Sequence, residues 1–164
     1  TLFASPTWPN VPRGFFAVGI WHPKREVNVG SVLRMAHLYG AAFTFTVGHR
    51  YGDRQRSDTT HSRLSVPLMH FDTVDSLCRH LPYGAPLVAA ELDARAVALT
   101  AFEHPASACY LFGAEDHGLP SDVLDHCHHV VQIPAPLPWS MNVAQAAAIV
   151  IHDRYSKVQR VARG

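Results

Sequence analysis

Short apolar runs alternate with amphipathic and polar segments along the chain. The apolar runs have the length of strands and predict six buried β-strands, at residues 15–21, 42–47, 65–71, 86–91, 108–112 and 130–133. Between them lie irregular polar loops or segments in which apolar residues recur at helical spacing. Strands that alternate with helices are typical of an α/β domain, so we predict a mostly parallel sheet covered by helices on both faces.

The predicted helices carry start and stop signals. From Val29 to Ala36 apolar residues recur at helical spacing, Asn28 is a suitable N-cap, and Gly40 is a suitable residue to end the helix. This helix joins the first two strands into a βαβ unit, which is right-handed by default. Three further helices are predicted: one capped by Asp72 or Thr73 and ending at Leu81, one at 121–127, and one from Met141 to about Arg160.

Length and composition indicate one globular domain. The chain has 164 residues, of which 48% are hydrophobic and 16% charged. Residues 1–13 contain three prolines, so we predict an extended arm there and a single domain at 14–164. The formal net charge is +1. A nucleic acid would therefore be bound by a local patch and not by the overall charge.

The remaining compositional signals concern location and metals. Cys78, Cys109 and Cys127 form no C-x-x-C pair and favour reduced thiols over a disulfide framework. Neither a membrane-length apolar run nor a signal-peptide pattern is present, so we expect a soluble, cytoplasmic protein. The run His126–His129 suggests zinc, but neighbouring side chains of a strand point to opposite faces and no second ligand pair has suitable spacing. We expect no metal.

Two loops in the C-terminal half follow predicted strands and could form the walls of one site. The carboxyl ends of adjacent strands are the usual ligand-binding edge of an α/β sheet. Gly113 and Gly118 have the spacing of a P-loop, but Leu119 and Pro120 stand where that loop needs Lys and Ser or Thr. The chain has no G-x-G-x-x-G motif, and no G-x-S-x-G motif surrounds Ser140. These common nucleotide-binding and hydrolase motifs are therefore excluded.

What remains is three motifs in a fixed order. They are Asn28-x-Gly30-x-x-x-Arg34, then Phe112-Gly113-x-Glu115-x-x-Gly118-Leu119-Pro120, then Ile133-Pro134 followed by Ser140-Met141-Asn142. Together they resemble the SpoU/TrmH family of RNA ribose methyltransferases, part of the SPOUT superfamily. The resemblance extends from about Phe15 to about Arg160 and so covers nearly the whole chain.

The resemblance implies a fold, a cofactor and an assembly. Members of the family have an α/β domain whose C-terminal part forms a trefoil knot, a feature that is otherwise very rare. They bind S-adenosyl-L-methionine in that knot and act as homodimers. In the dimer the first motif of one subunit reaches toward the cofactor of the other, and we expect the same here.

The resemblance also implies the site residues. Those expected at the catalytic centre are Asn28, Arg34, Glu115, Ser140 and Asn142. Those expected to contact the cofactor are Ala90, Glu91, Gly113, Gly118, Ile133, Pro134, Ser140 and Met141. Those expected to contact RNA phosphates, in the polar loop at 48–63, are Arg50, Arg54, Arg56 and Arg63.

Arg34 matches the arginine on which the family's mechanism depends. A guanidinium with a pKa above about 12 is a poor proton acceptor. We therefore expect Arg34 to hold the target phosphate through bidentate hydrogen bonds, which orients the 2′-hydroxyl and stabilises developing alkoxide charge. The other polar site residues are expected to position Arg34, the ribose and the loops.

Each of these residues also has a local interpretation. Asn28 and Glu115 could be helix caps only, Arg34 a surface ion-pair partner, and Asn142 a residue that starts a helix. The loop at 48–63 could be an ordinary solvated loop. The basic residues near the C-terminus are expected to form a solvated helix end that complements the dipole: Arg154, Lys157, Arg160 and Arg163.

The resemblance implies the reaction, but it leaves more than one RNA substrate open. Transfer RNA is favoured over ribosomal RNA, because compact members of the family include tRNA enzymes. Methylation of a base on the same fold and non-catalytic RNA binding stay open as alternatives.

Overall fold

A single parallel sheet organises the part of the chain that the structure describes. The computed structural model describes residues 14–48, 66–113 and 116–163, with side chains up to residue 158. Its strands are β1 (Phe16–Trp21), β2 (Phe43–Val47), β3 (Leu68–Phe71), β4 (Leu87–Ala90), β5 (Val97–Ala98), β6 (Ala108–Phe112) and β7 (His129–Gln132). They form one seven-stranded sheet in the order β3-β2-β1-β6-β4-β7-β5, and every pairing between them is parallel.

Helices cover both faces of this sheet. They are α1 (Glu26–Leu38), α2 (Val74–Arg79), α3 (Ser121–Leu124) and α4 (Val143–Arg163), with short 3₁₀ turns at Pro82–Gly84 and Leu99–Ala101. One core cluster joins alternate β1 residues to α1 and α4, and the other joins Ala17 to the apolar sides of α2 and α3. The parallel sheet with both faces covered confirms the predicted α/β architecture.

The strand predictions differ from the structure in one element. Strand β5 has only two residues, which pair with Val131 and Gln132 of β7. A two-residue strand is too short to show a periodic pattern, so no sequence pattern predicts it.

Two helix-end signals act as predicted and one does not. Thr73 caps α2 by accepting a hydrogen bond from Ser76 N at 3.1 Å, and Gly40 follows the end of α1 with a φ of +74°. Asn28, however, is not an N-cap. Helix α1 begins earlier, with Arg25 at the N-cap position, and Asn28 lies inside the first turn. Its side chain bonds to another helix and not to its own backbone.

Two basic side chains of the C-terminal helix are not solvated, which differs from the prediction for this end of the chain. Arg154 is only 6% exposed, and its guanidinium donates to Ala106 O at 2.6 Å. Lys157 donates to Leu99 O at 2.6 Å and to Phe102 O at 3.0 Å. These two side chains fasten α4 to the segment before β6. The side chains of Arg160 and Arg163 lie outside the described residues, as do the N-terminal arm, Glu115 and the arginines of the 48–63 loop. Among the described helices, none is both long and apolar enough to span a membrane.

Candidate active site

A cavity of about 640 Å³ opens at the carboxyl ends of β6, β4 and β7, which are neighbours in the sheet. The two loops singled out in the sequence form much of its wall, because the carboxyl ends of parallel strands meet at one edge. All eight residues predicted to contact a cofactor line it: Ala90, Glu91, Gly113, Gly118, Ile133, Pro134, Ser140 and Met141. The topology thus brings together side chains from three separate strand ends.

The first wall is the loop that follows β6. Gly118 has a φ of +62°, and a Cβ on it would collide with the Glu91 carboxylate. Oε2 of Glu91 accepts a hydrogen bond from Leu119 N at 2.7 Å, and Oε1 accepts one from Leu92 N at 2.9 Å. Glu91 therefore holds the loop against the end of β4. Gly113 lies against the backbone of Gly118, so a side chain there would force this loop to open.

An ion pair ties the same loop to the start of α1. Nζ of Lys24 lies 2.6 Å from Oδ2 of Asp116, and both side chains are exposed. The hydrogen bond from Lys24 lowers the pKa of Asp116 below its ordinary value. Asp116 and His117 line the cavity, although they are unspecified positions of the second motif. Their only sequence signal is their position inside the Gly113–Gly118 loop.

The second wall is the loop that follows β7, from Ile133 to Met141. It contains Pro134, Pro136 and Pro138, and no charged residue occurs between 131 and 142. Leu137 and Trp139 line the cavity and are also well exposed to solvent. This wall is apolar and is restrained by prolines, each of which fixes its own φ.

Asn28 and Asn142 do not line the cavity, but they join α1 to the start of α4 next to the wall residues Met141 and Val143. Asn142 starts α4, where its Oδ1 accepts hydrogen bonds from Ala144 N at 2.9 Å and Gln145 N at 3.4 Å. Its Nδ2 donates to Oδ1 of Asn28 at 3.2 Å. Asn28 is 6% exposed, and its own Nδ2 has no acceptor among the described residues. The first and third motifs therefore meet through a pair of amide side chains.

Arg34 is a further predicted site residue that does not line the cavity. It lies on the exposed side of α1 and does not belong to the cavity wall. Val27, Ser31 and Leu38 are also exposed and share its face, because they follow one another at helical spacing. One copy of the chain therefore does not bring the guanidinium of Arg34 into the cavity wall.

The histidine-rich run has structural contacts. Nδ1 of His128 accepts a hydrogen bond from Leu87 N at 2.9 Å, and the ring of His129 packs edge-on to Phe102 at 5.6 Å between centroids. Within the described ranges, no group of three or more His, Cys, Asp or Glu side chains is placed to hold a metal ion.

Comparison with known families adds to this geometry. The family model described as the SpoU rRNA methylase family matches residues 16–152. The chain belongs to the SpoU methylase family. That membership confirms the resemblance drawn from the three motifs. No curated protein matches the sequence of this SpoU family member.

Solved structures with the same fold cover most of the chain. The AdoMet-bound rRNA methyltransferase from Sinorhizobium meliloti has a TM-score of 0.78 and 22% identity, over 90% of this chain and 57% of that one. The SpoU methyltransferase AviRb from Streptomyces viridochromogenes, in complex with AdoMet, has a TM-score of 0.77 and 24% identity, over 93% and 60%. A structure from work on the 2-OH methylation of C/U34 on tRNA has a TM-score of 0.77 and 24% identity, over 90% and 98%.

Proposed function

We propose that this SpoU family member transfers a methyl group from S-adenosyl-L-methionine to a ribose 2′-hydroxyl of structured RNA, with tRNA favoured over rRNA. The observation that carries the proposal is the cavity at the ends of β6, β4 and β7, whose wall contains all eight predicted cofactor residues. Membership of the SpoU methylase family supports methyl transfer to RNA.

The wall suits S-adenosylmethionine. Gly113 and Gly118 leave a cradle that a Cβ would fill, so backbone amides can come close to the ligand. Ile133 and Met141 offer apolar contact to the adenosine. The AviRb and S. meliloti structures were solved with AdoMet bound, which supports the same ligand here. When bound, this cofactor would supply a methyl group from its sulfonium to the 2′-hydroxyl oxygen; S-adenosylhomocysteine would be the leaving group and the hydroxyl proton would pass to water.

The protein's part in this reaction is orientation and charge stabilisation. An in-line displacement needs the 2′-hydroxyl to be aligned with the methyl group. We assign Arg34 to the target phosphate, where its guanidinium would orient the ribose and stabilise developing alkoxide charge. Ser140 lies on the cavity wall, and Asn142 joins that wall to Asn28 on α1. We assign these polar residues, with Glu115, to positioning the ribose and the loops.

The placement of Arg34 supports a homodimer. Arg34 is exposed and does not line the cavity of its own chain, so a second copy packed on its face of α1 would give it a cavity to act on. Its face of α1 also exposes Val27 and Leu38, while the neighbouring α4 exposes Ile149 and Tyr155. Covering these apolar side chains would stabilise the dimer through the hydrophobic effect.

We propose a trefoil knot on the basis of the strand order. Strand β6 lies between β1 and β4, and β7 lies between β4 and β5, so the chain returns twice to positions between earlier strands. That order is compatible with the knot of the family. We also propose that Arg50, Arg54, Arg56 and Arg63 contact RNA phosphates.

The tRNA preference is supported by the fold that this chain shares with the chain from the study of 2-OH methylation on tRNA. The chain spans 57% of the S. meliloti protein and 60% of AviRb.

The first experiment measures transfer of labelled methyl from S-adenosylmethionine to bulk tRNA and, separately, to rRNA. Digestion to nucleosides then distinguishes a 2′-O-methyl product from a methylated base. Arg34→Ala should lower kcat/KM by roughly 10²–10³-fold, the effect of losing one donor that stabilises developing charge. Cofactor affinity, measured by calorimetry, should change little.

Arg79→Ala is the matched control for loss of an exposed arginine. Arg79 lies on α2 and pairs with Asp75 at 3.1 Å, away from the residues of the proposed site. The Arg79→Ala variant should be as active as the wild type. Base methylation would refute the ribose assignment. RNA binding without transfer, with cofactor bound, would favour the non-catalytic alternative.

A further inference from the structure

Trp139 is a large apolar side chain placed at the mouth of the cavity and left open to solvent. It lines the cavity and is 74% exposed. Within the described residues its ring makes no aromatic contact and its indole N–H has no hydrogen-bond acceptor. Leu137 and Met141, two residues to either side, are exposed on the same wall. Packing in the protein core therefore does not explain why position 139 is a tryptophan.

The loop presents this indole in a restrained conformation. Pro134, Pro136 and Pro138 each fix φ and remove conformational freedom from the backbone before Trp139. A partner that stacks on the ring therefore does not have to order the loop, so less of the interaction free energy is lost on binding.

The chemistry of the loop indicates the kind of partner. No charged side chain occurs between residues 131 and 142, so the loop itself has no cation for a phosphate. An indole face recognises flat aromatic groups, and unpaired nucleobases are the groups that stack on aromatic side chains in RNA-binding proteins. Bases inside a duplex have no free face to offer.

We infer that the indole of Trp139 stacks on an unpaired nucleobase of the RNA, beside the ribose that enters the cavity. The inference rests on the proposed function, since it is the methylated nucleotide that brings the base to this wall. It adds to that function a substrate class: RNA whose target lies in a loop or another single-stranded segment. A second copy of the chain packed on Trp139 is the competing occupant.

The first test measures binding by fluorescence. The chain has three tryptophans, Trp8, Trp21 and Trp139, so a variant with Trp8→Phe and Trp21→Phe keeps Trp139 as the single indole reporter. Bulk tRNA and an RNA hairpin with an unpaired loop should quench its emission, whereas a fully paired RNA duplex should not. Equal quenching by duplex and hairpin, or none by either, would overturn the inference whether or not the protein methylates RNA.

The second test compares variants in the intact protein. Trp139→Ala should weaken binding of the hairpin by roughly 5- to 150-fold, the range that loss of one stacked base implies. Trp139→Phe should recover most of that affinity. Tyr83→Ala is the matched control, because Tyr83 is 99% exposed but precedes β4, at the opposite end of the sheet from the cavity. The Tyr83→Ala variant should bind the hairpin as tightly as the wild type.

Three further outcomes separate this inference from the proposed function. If the wild type methylates RNA and Trp139→Ala does so with equal kcat/KM, the proposed function stands and the inference is overturned. If Trp139→Ala loses cofactor affinity by as much as RNA affinity, the indole covers the cofactor. If it loses dimer mass by light scattering, the occupant is the second copy. Either of the last two results also overturns the inference.

Discussion

Replacing Gly118 by alanine should lower stability and cofactor affinity more than replacing Gly40, a glycine of similar backbone conformation. Gly118 and Gly40 both have positive φ, +62° and +74°. A Cβ on Gly40 has nothing within 4 Å, whereas a Cβ on Gly118 collides with the Glu91 carboxylate. Gly40→Ala therefore measures the backbone effect alone, and the difference between the two variants measures the role of Glu91.

The expected magnitudes follow from these contacts. Left-handed backbone costs roughly 1–2 kcal/mol for a residue with a Cβ, and this applies to both variants. Glu91 can rotate out of the way, so its further cost is the lost hydrogen bond to Leu119 N and not the steric overlap. A hydrogen bond to a charged group contributes about 1.5–3 kcal/mol, and the lower part of that range suits a half-buried carboxylate. Gly118→Ala should therefore be less stable than Gly40→Ala by about 1.5–2 kcal/mol.

Thermal unfolding and cofactor calorimetry test this reasoning. In a domain of this size that difference corresponds to a melting temperature about 3–8 °C lower for Gly118→Ala. Once Glu91 no longer holds the loop, binding of S-adenosylmethionine must order it, so the affinity of Gly118→Ala should fall, by tenfold for each 1.4 kcal/mol that this ordering costs. It should be unchanged in Gly40→Ala. Equal melting temperatures and equal affinities in the two variants would refute the role given to Glu91.

Two predictions concern the contacts that fasten α4. The side chain of His104 is fully buried, its Nδ1 lies 2.7 Å from the Tyr110 hydroxyl and its Nε2 lies 2.8 Å from Asp153 Oδ2. Burial lowers the pKa of His104 despite Asp153, so the unfolded chain takes up this proton more readily, and stability should fall as pH drops below about 6.5. Denaturant unfolding at several pH values should show a smaller fall in His104→Gln; an identical pH dependence would contradict this account. Arg154→Ala should lower the free energy of unfolding by about 2–3 kcal/mol, because it leaves Ala106 O without its buried donor. A surface substitution usually changes the free energy of unfolding by less than about 0.5 kcal/mol. A loss below that value would show that the buried guanidinium does not stabilise the fold.

Much of the fold could be predicted because its signals are local. The apolar run at 108–112 predicts a strand, and strand β6 is found at Ala108–Phe112, where all five residues are buried within the sheet. Thr73 and Gly40 act at helix ends as expected, because a cap depends on backbone groups within one turn. The two-residue strand β5 has no such local signal. It exists because β7 offers an edge for pairing.

The candidate site was predictable as a pair of loops but not as a set of contacts. Parallel strands share a carboxyl edge, so loops that follow strands had to meet there. The contacts that complete the site join distant residues: Lys24 and Asp116 are 92 positions apart, and Asn28 and Asn142 are 114 apart. No spacing rule relates such pairs.

The sequence by itself determined the alternation of strands and helices, the two loops and the motifs that place the chain in its family. Only the tertiary structure decided that Asn28 bonds across helices, that Arg154 is buried and that Arg34 lies away from its own cavity. The reason is physical. A periodic pattern reflects the average burial of apolar residues, whereas the position of a polar or charged group depends on whether packing supplies the partners that offset its desolvation.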